Sequence, residues 1–312
     1  MRIEYHRTLI ADRVRNDAFE AALAQVIRKG ETVVADIGAG TGLLGLMASK
    51  LGAREVYLYE VAEVAAVAQE ILKRNRARNC HLIPCHSTEM QDPPRADVVI
   101  SETLGNYPFE EHIIETLNDA VRRHLKRGGT IIPSRLTQFI APVVTDRFHV
   151  ELTAWERIGR GIDFSPAQLM SLNNIYVRTL TPADLLDEGR SAQEWDRIDF
   201  SVQNRTTRKG EARWRPHVGT KLYGFATWWV AELVPGVTFS TAPDAPRSHW
   251  EQLYFPVSRP IQVRSGESIA ISLRSRSSMQ MGTDLAWTLT RQDRVGKVID
   301  RQAMDLAKGY LP

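Results

Sequence analysis

Chemistry is concentrated first in the stretch Ser101-Glu102-Thr103-Leu104-Gly105-Asn106-Tyr107-Pro108-Phe109-Glu110-Glu111. It starts where a continuous apolar run, Asp97-Val98-Val99-Ile100, stops. Such runs read as strands buried on both faces, as in a parallel α/β sheet. Ligands of open α/β sheets bind beyond the carboxyl ends of these strands, so Glu102 is delivered to an active-site rim. Glu111 follows nine residues later, after a Gly/Asn/Tyr/Pro loop able to turn back on itself. Two converging carboxylates suit a cation, above all a planar guanidinium held by paired hydrogen bonds. The bland alternative is a strand end followed by an acidic helix start.

A second cluster lies upstream. The β-branched run Thr32–Ile37 carries Asp36 near its end and leads into Gly38-Ala39-Gly40-Thr41-Gly42. Glycines there allow a tight turn and close backbone approach to a ligand. The pattern is G-x-G-x-G, with Leu43 where a dinucleotide fingerprint has its third glycine. Glu60 closes the next apolar run, Glu55–Tyr59, about 20 residues after the loop, where a ribose-binding carboxylate belongs. A capped strand end is the alternative reading of Glu60.

These groups require an ordered frame. Apolar spacing predicts a helix over 4–28, then strands and helices in alternation: helix 43–51, strand 55–59, helix 62–77, a strand near 81–84, strand 97–102, helix 110–125 and strand 130–132. That alternation implies a doubly wound, Rossmann-like α/β domain with a parallel sheet over 1–133. After Pro133 the texture changes. Residues 137–145 read as a strand, 149–190 as helical and irregular, and later segments as short antiparallel strands of a β-barrel-like domain over 134–312, with 213–233 as one strand and Lys209-Gly210 as a turn. Trp228-Trp229 reads as core or interface, and the cluster Arg205, Arg208, Lys209, Arg213, Arg215 as a solvated hairpin tip.

The 312 residues carry a net charge of +3, are 43% hydrophobic and 25% charged, and have globular composition. The charge is scattered, which argues against a nucleic-acid partner. Cys80 and Cys85 have no second pair to complete a zinc site and read as free thiols in a reducing compartment; no metal is expected. The charged first residues are unlike a signal peptide and no run of about 18 apolar residues occurs, so a cytoplasmic chain without membrane contact is expected.

Taken together, these residues resemble the class I S-adenosylmethionine-dependent methyltransferases, and within them the protein arginine methyltransferases. Five places carry the resemblance. His6 to Arg15 is similar to the helix in which an arginine, here Arg15, grips the cofactor's carboxylate. Asp36 to Gly42, with Gly38, Gly40 and Gly42, is similar to the cofactor loop. Glu60 matches the acid that binds both ribose hydroxyls. Glu102 and Glu111 keep the family's nine-residue spacing, which Glu110 does not. Ser248-His249-Trp250 looks like the Thr-His-Trp loop that closes the substrate pocket.

The resemblance implies S-adenosyl-L-methionine as donor, S-adenosyl-L-homocysteine as product, and an arginine-bearing protein, peptide or small guanidino acceptor bound by Glu102, Glu111, Trp250 and His6. It places His249 with Asp12 as proton acceptor or interdomain lock, the lock being preferred, and Ser87 and Thr88 beside the adenine. It makes Pro133 cis and 149–190 a homodimerisation arm. Departures stand beside these matches. Thr103-Leu104 replaces Trp-Met, Asn106 replaces a tyrosine, Thr88 stands where an acid is usual, and the family's upstream Tyr-Phe-x-x-Tyr helix lies outside this sequence. A methyltransferase of free arginine or another small guanidino or amine metabolite, and a non-catalytic cofactor-binding scaffold, are the other readings.

Overall fold

The computed structural model of the chain describes residues 3–309. The first half is a five-stranded sheet in the order β3-β2-β1-β4-β5, every neighbouring pair parallel. Its strands are β1 (Val33–Ile37), β2 (Glu55–Tyr59), β3 (Cys80–Ile83), β4 (Ala96–Ile100) and β5 (Leu125–Ile132). The helices are α1 (Ile3–Ala11), α2 (Arg13–Val26), α3 (Leu43–Lys50), α4 (Val64–Arg74) and α5 (Ile113–Arg123). Strand β1 is buried along its whole length, as a central parallel strand covered on both faces must be. Strand order reverses between β1 and β4, so their carboxyl ends open a crevice. Asp36 is in register with Ile100, which brings the glycine loop and Glu102 out side by side.

The predicted helix over 4–28 is two helices. Asp12 breaks it, because its backbone is extended (ψ 90°) and its side chain caps α2 by accepting from the Arg15 amide. Glu110 and Glu111 lie in a turn before α5, whose start is set by His112 in the left-handed region (φ 60°).

The Ile132–Pro133 peptide is cis, as the resemblance implied. Beyond it lie two antiparallel sheets. One runs β7-β12-β10-β6-β8, with β11 on β10, and the other β15-β14-β13-β9. These strands are β6 (Arg135–Val143), β7 (Tyr176–Arg178), β8 (Gln193–Asp199), β9 (Thr207–Trp214), β10 (Thr220–Val234), β11 (Val237–Ser240), β12 (Gln252–Val263), β13 (Ser268–Ser278), β14 (Gly282–Gln292) and β15 (Val298–Asp305). Between β6 and β7 project the short helices α6 (Arg147–Leu152), α7 (Trp155–Ile158) and α8 (Ser165–Leu172).

The expected strand over 213–233 is split between β9 and β10 by the Pro216 and Gly219 segment. Lys209-Gly210 is not a turn but lies inside β9, paired with Leu273 and Arg274. The basic cluster is therefore no hairpin tip: Arg208 forks onto Asp196 at 2.7–3.1 Å, which also accepts from Gln138 at 3.0 Å. Trp228 and Trp229 are both buried. Cys80 and Cys85 are free. Among the described residues no cluster of His, Cys, Asp and Glu could hold a metal, and no helix is long and apolar enough to cross a membrane.

Candidate active site

A cavity of about 290 Å³ opens at the carboxyl ends of β1, β2 and β4. The glycine loop forms its floor. Gly38, Gly40 and Gly42 all have positive φ (74°, 55° and 82°), which a side chain would resist. The Gly38 and Ala39 amides are tied to the Tyr59 carbonyl at 2.9 and 3.0 Å, fixing the loop against β2. A Cβ on Gly40 would sit 3.2 Å from the His6 ring, and the His6 Nε2 is buried without a partner. His6 therefore presents an unsatisfied polar atom beside a bare stretch of backbone, as a ligand cradle requires.

Glu60 lines this cradle and is clamped from behind. Oε2 accepts from the Gly40 amide (2.7 Å) and Oε1 from the Ala62 amide (2.8 Å). A carboxylate has about four acceptor positions, so both oxygens keep capacity for hydroxyl donors. Asp36 is fully buried beneath the loop and accepts from the Gly45 amide at 2.8 Å. Burial pushes its carboxyl up to about 7, against the opposing pull of that amide.

The carboxylate pair lines the same cavity. Glu102 Oε2 accepts from Arg15 Nε at 2.7 Å and from Arg15 Nη2, and its Oε1 accepts from the Leu104 amide at 3.3 Å. Arg15 Nη1 donates to Asn16 Oδ1 at 2.6 Å. The arginine that the resemblance assigns to the cofactor's carboxylate thus rests on Glu102, while still lining the cavity.

Glu111 faces the same cavity. Desolvation, then the negative charges of Glu102, Glu110 and Glu60, push its carboxyl up to about 7. Glu110 does not line the cavity. It folds back over Gly105, where a Cβ would collide with its carboxylate, and accepts from the Asn106 amide at 3.0 Å. The nine-residue spacing selects the acid that faces the cavity.

His249 reaches in from the β domain. Its Nδ1 is 2.7 Å from Asp12 Oδ2, and its own amide donates to that oxygen at 2.8 Å. The other Asp12 oxygen caps α2 through the Arg15 amide at 2.9 Å. Burial opposes the ionisation of Asp12, but the His249 side chain and the two amides outweigh it and hold the carboxyl below its usual range. The His249 ring packs against Trp250 at a tilt of 38°, with centroids 3.9 Å apart. A ring held by Asp12 and Trp250, with its own amide on the same carboxylate, fits the locking role.

Three of the expected site residues lie off the cavity wall. Trp250 is buried and does not line the cavity; its indole Nε1 donates to the Leu104 carbonyl at 2.9 Å, so it supports the carboxylate loop from behind. Ser87 and Thr88 also lie off the wall. A single 3₁₀ turn directs the Ser87 carbonyl toward Arg123 and His124, while the Thr88 hydroxyl pairs with His86 Nδ1 at 2.7 Å. His86 takes their place on the wall. Tyr5 also lines the cavity, edge-on to His249 at 6.1 Å. An aromatic directly before His6 was its only signal in the sequence.

Residues 134–292 match the family model "Arginine methyltransferase oligomerization subdomain". The chain belongs to the arginine methyltransferase family. A second model, "Ribosomal protein L11 methyltransferase (PrmA)", matches residues 20–158. Among relatives, protein arginine N-methyltransferase 6 of Xenopus tropicalis is 29% identical over 86% of this chain and 82% of its own length. Human protein arginine N-methyltransferase 2 is 24% identical over 97% of this chain and 75% of its own. The chain spans about half (53%) of the matched probable histone-arginine methyltransferase CARM1 of Oryza sativa, at 29% identity.

Two solved structures share the fold. The Trypanosoma brucei PRMT1 enzyme–prozyme heterotetrameric complex with AdoHcy superposes with a TM-score of 0.83 at 21% identity, over 96% of this chain and 97% of the other. Arabidopsis thaliana protein arginine methyltransferase 10, in an open conformation, gives 0.80 at 20%, over 98% of each chain. As an arginine methyltransferase the chain uses S-adenosyl-L-methionine, and the bare Gly40 backbone, the open His6 Nε2 and the clamped Glu60 fit that group.

Proposed function

We propose that this arginine methyltransferase acts on an arginine side chain presented by a protein or peptide. The observation that carries this reading is that Glu102 and Glu111 line the same cavity as Gly40 and Glu60. When bound, S-adenosyl-L-methionine supplies an electrophilic methyl group. Glu60 would hold the ribose, and the glycine loop and His6 would line the rest of its site.

The protein's own task is placement and electrostatics. A guanidinium is protonated at neutral pH and a poor nucleophile. Glu102 and Glu111 grip it by paired hydrogen bonds and draw its positive charge away from the attacking nitrogen. Glu111, whose carboxyl sits near neutrality, takes the proton that the newly methylated nitrogen releases. His249 and Asp12 hold the two domains in register around the acceptor.

A homodimer built through α6–α8 completes the reading. The matched family model is an oligomerisation subdomain, and Ile158, Ile162, Leu169 and Met170 expose large apolar surfaces on that arm. Free Cys80 and Cys85 fit the reducing cytoplasm.

The test is turnover of an arginine-bearing peptide and of free arginine, read by mass spectrometry, for Glu102→Gln and Glu111→Gln. Each variant is expected to lose at least about a hundredfold in kcat/KM. Near-parental turnover by both would overturn the assignment, and methylation of free arginine alone would move the acceptor to a small metabolite.

A further inference from the structure

Three consecutive residues of the carboxylate loop are tied to the β domain. The Leu104 carbonyl accepts from Trp250 Nε1 at 2.9 Å, and the Gly105 carbonyl from Trp229 Nε1 at 3.1 Å. The Asn106 side-chain oxygen accepts from the Glu251 amide at 2.8 Å. The same loop continues against β13, where the Tyr107 hydroxyl meets Ser275 and the Phe109 carbonyl accepts from Ser277.

Both indoles are buried and rigidly seated. Their centroids lie 5.1 Å apart edge-to-face, and each packs edge-on or tilted against Phe239. Glu102 precedes this stretch and Glu111 follows it, so the path of 104–106 sets how the two acids face one another. No group of the parallel sheet bonds those two carbonyls among the contacts of the described residues. Backbone carbonyls buried this deeply require a donor, and here each has one that a phenyl ring cannot replace.

From this we infer that Trp229 and Trp250 are positioning residues for the reaction: their indole N–H groups hold the loop that spaces Glu102 from Glu111. The inference rests on the reading that these acids hold the acceptor guanidinium. It gives the β domain a part in catalysis that needs no contact with either substrate. It also explains why Trp250 sits behind the loop and not on the cavity wall.

The test uses Trp229→Phe and Trp250→Phe in the full chain, which keep an aromatic ring and remove the N–H. Acceptor kcat/KM is expected to fall about tenfold in each, since small misplacements of gripping groups are costly. Affinity for S-adenosyl-L-homocysteine, read by calorimetry, stays within about twofold, because the cradle is untouched. Trp228→Phe serves as control: Trp228 stacks on Phe139 in a separate cluster and leaves the acceptor constants unchanged.

Asn106→Ala removes the third tie from a half-buried side chain, and it decides the matter if a tryptophan variant fails to fold. Parental acceptor constants in the folded variants overturn the inference. So does an equal fall in cofactor affinity and acceptor kcat/KM, which marks general loosening. Glu102→Gln, assayed alongside, separates the two levels: if it is fully active, the guanidinium reading itself has failed.

Discussion

Arg15 and Glu102 form a buried ion pair at the edge of the cavity that both line, with Arg15 Nε 2.7 Å from Glu102 Oε2 and both side chains almost completely excluded from solvent. The pair joins the helix that follows Asp12 to the strand end that carries the acceptor-gripping acid. Removing one partner of a buried pair strands the other charge, at a cost of about 3–5 kcal/mol. Arg15→Ala is expected to lower unfolding free energy by that order in denaturant titrations, and Arg15→Lys by less, since one donor survives without the fork. Glu102→Gln keeps an oxygen acceptor for Arg15 but leaves its charge unpaired, so it should lose stability as well as activity, though less than a substitution that removes the acceptor altogether. An Arg15→Ala chain as stable as the parent would show that the pair contributes nothing.

Glu111 gives the site a pH dependence with opposite signs for stability and activity. Its folded-state carboxyl is raised from 4.5 to about 7. A raised carboxyl stabilises the ligand-free fold below its unfolded value, and that contribution is lost as pH rises through about 7. Stability relative to Glu111→Gln should therefore decline between pH 4.5 and about 7. Acceptor kcat/KM should rise over the same interval, because only the ionised acid grips a guanidinium. Asp36 is also raised to about 7, so Asp36→Asn is the control. A rising limb that persists in Glu111→Gln and vanishes in Asp36→Asn would reassign it to Asp36.

Much of this site was legible because its parts are local. Glu102, Glu60 and Asp36 sit at or near strand ends, and a strand end in a parallel sheet is a position a pattern can locate. Glu111 was legible by spacing, because the intervening loop is short. The Arg15–Glu102 pair was not, since 87 positions separate its partners and nothing in the helix pattern around Arg15 aims its side chain. The burial of Trp250 behind the Leu104 carbonyl was not legible for a related reason: a motif says which loop arrives, not which face of a ring meets the cavity. Ser87 and Thr88 lie in a 3₁₀ turn whose contacts run to Arg123, His124 and His86, and no spacing rule in the sequence gives the direction of such a turn. The β9–β10 split was signalled by Pro216 and Gly219, outweighed by the β-rich run around them.

Asp12 carries three hydrogen bonds at 2.7–2.9 Å, to the Arg15 amide and to the His249 ring and amide. Its carboxyl lies below the usual 3.8. A depressed carboxyl contributes stability that is present above the unfolded value and disappears as pH falls through the folded one. Asp12→Ala removes the α2 cap and the interdomain bond, with an expected cost of about 2–3 kcal/mol at neutral pH. The gap between parent and variant should narrow below about pH 4 in acid titrations followed by circular dichroism. A gap independent of pH would show that the Asp12 charge is immaterial.

Gly38 and Thr103 touch where the cofactor loop meets the carboxylate loop. A Cβ on Gly38 would lie 2.6 Å from Thr103 Cγ2, on backbone at φ 74°. Gly38→Ala should lose about 1–2 kcal/mol from backbone conformation, with a further loss from the collision. Adding Thr103→Ser removes the colliding methyl and should restore only the second part. Cofactor affinity, measured by calorimetry, is expected to recover in parallel. Failure of the double variant to improve on Gly38→Ala would place the whole effect in the backbone.

The arm of α6–α8 exposes Ile158 (67%), Ile162 (63%), Leu169 (51%) and Met170 (60%) within a single projection. Apolar side chains this exposed are the surface through which the proposed homodimer would form. Sedimentation at micromolar concentration is expected to return twice the 35.2 kDa chain mass. Ile162→Asp with Met170→Asp places two charges on that surface and should give a monomer with an unchanged fold. Because the arm springs from β6 and returns through β7 onto β12, the strand that follows Trp250, loss of the partner should reduce acceptor turnover more than cofactor affinity. A parent chain that sediments as a monomer would remove the arm from the functional reading, and a monomeric variant with full turnover would show that assembly is separable from catalysis.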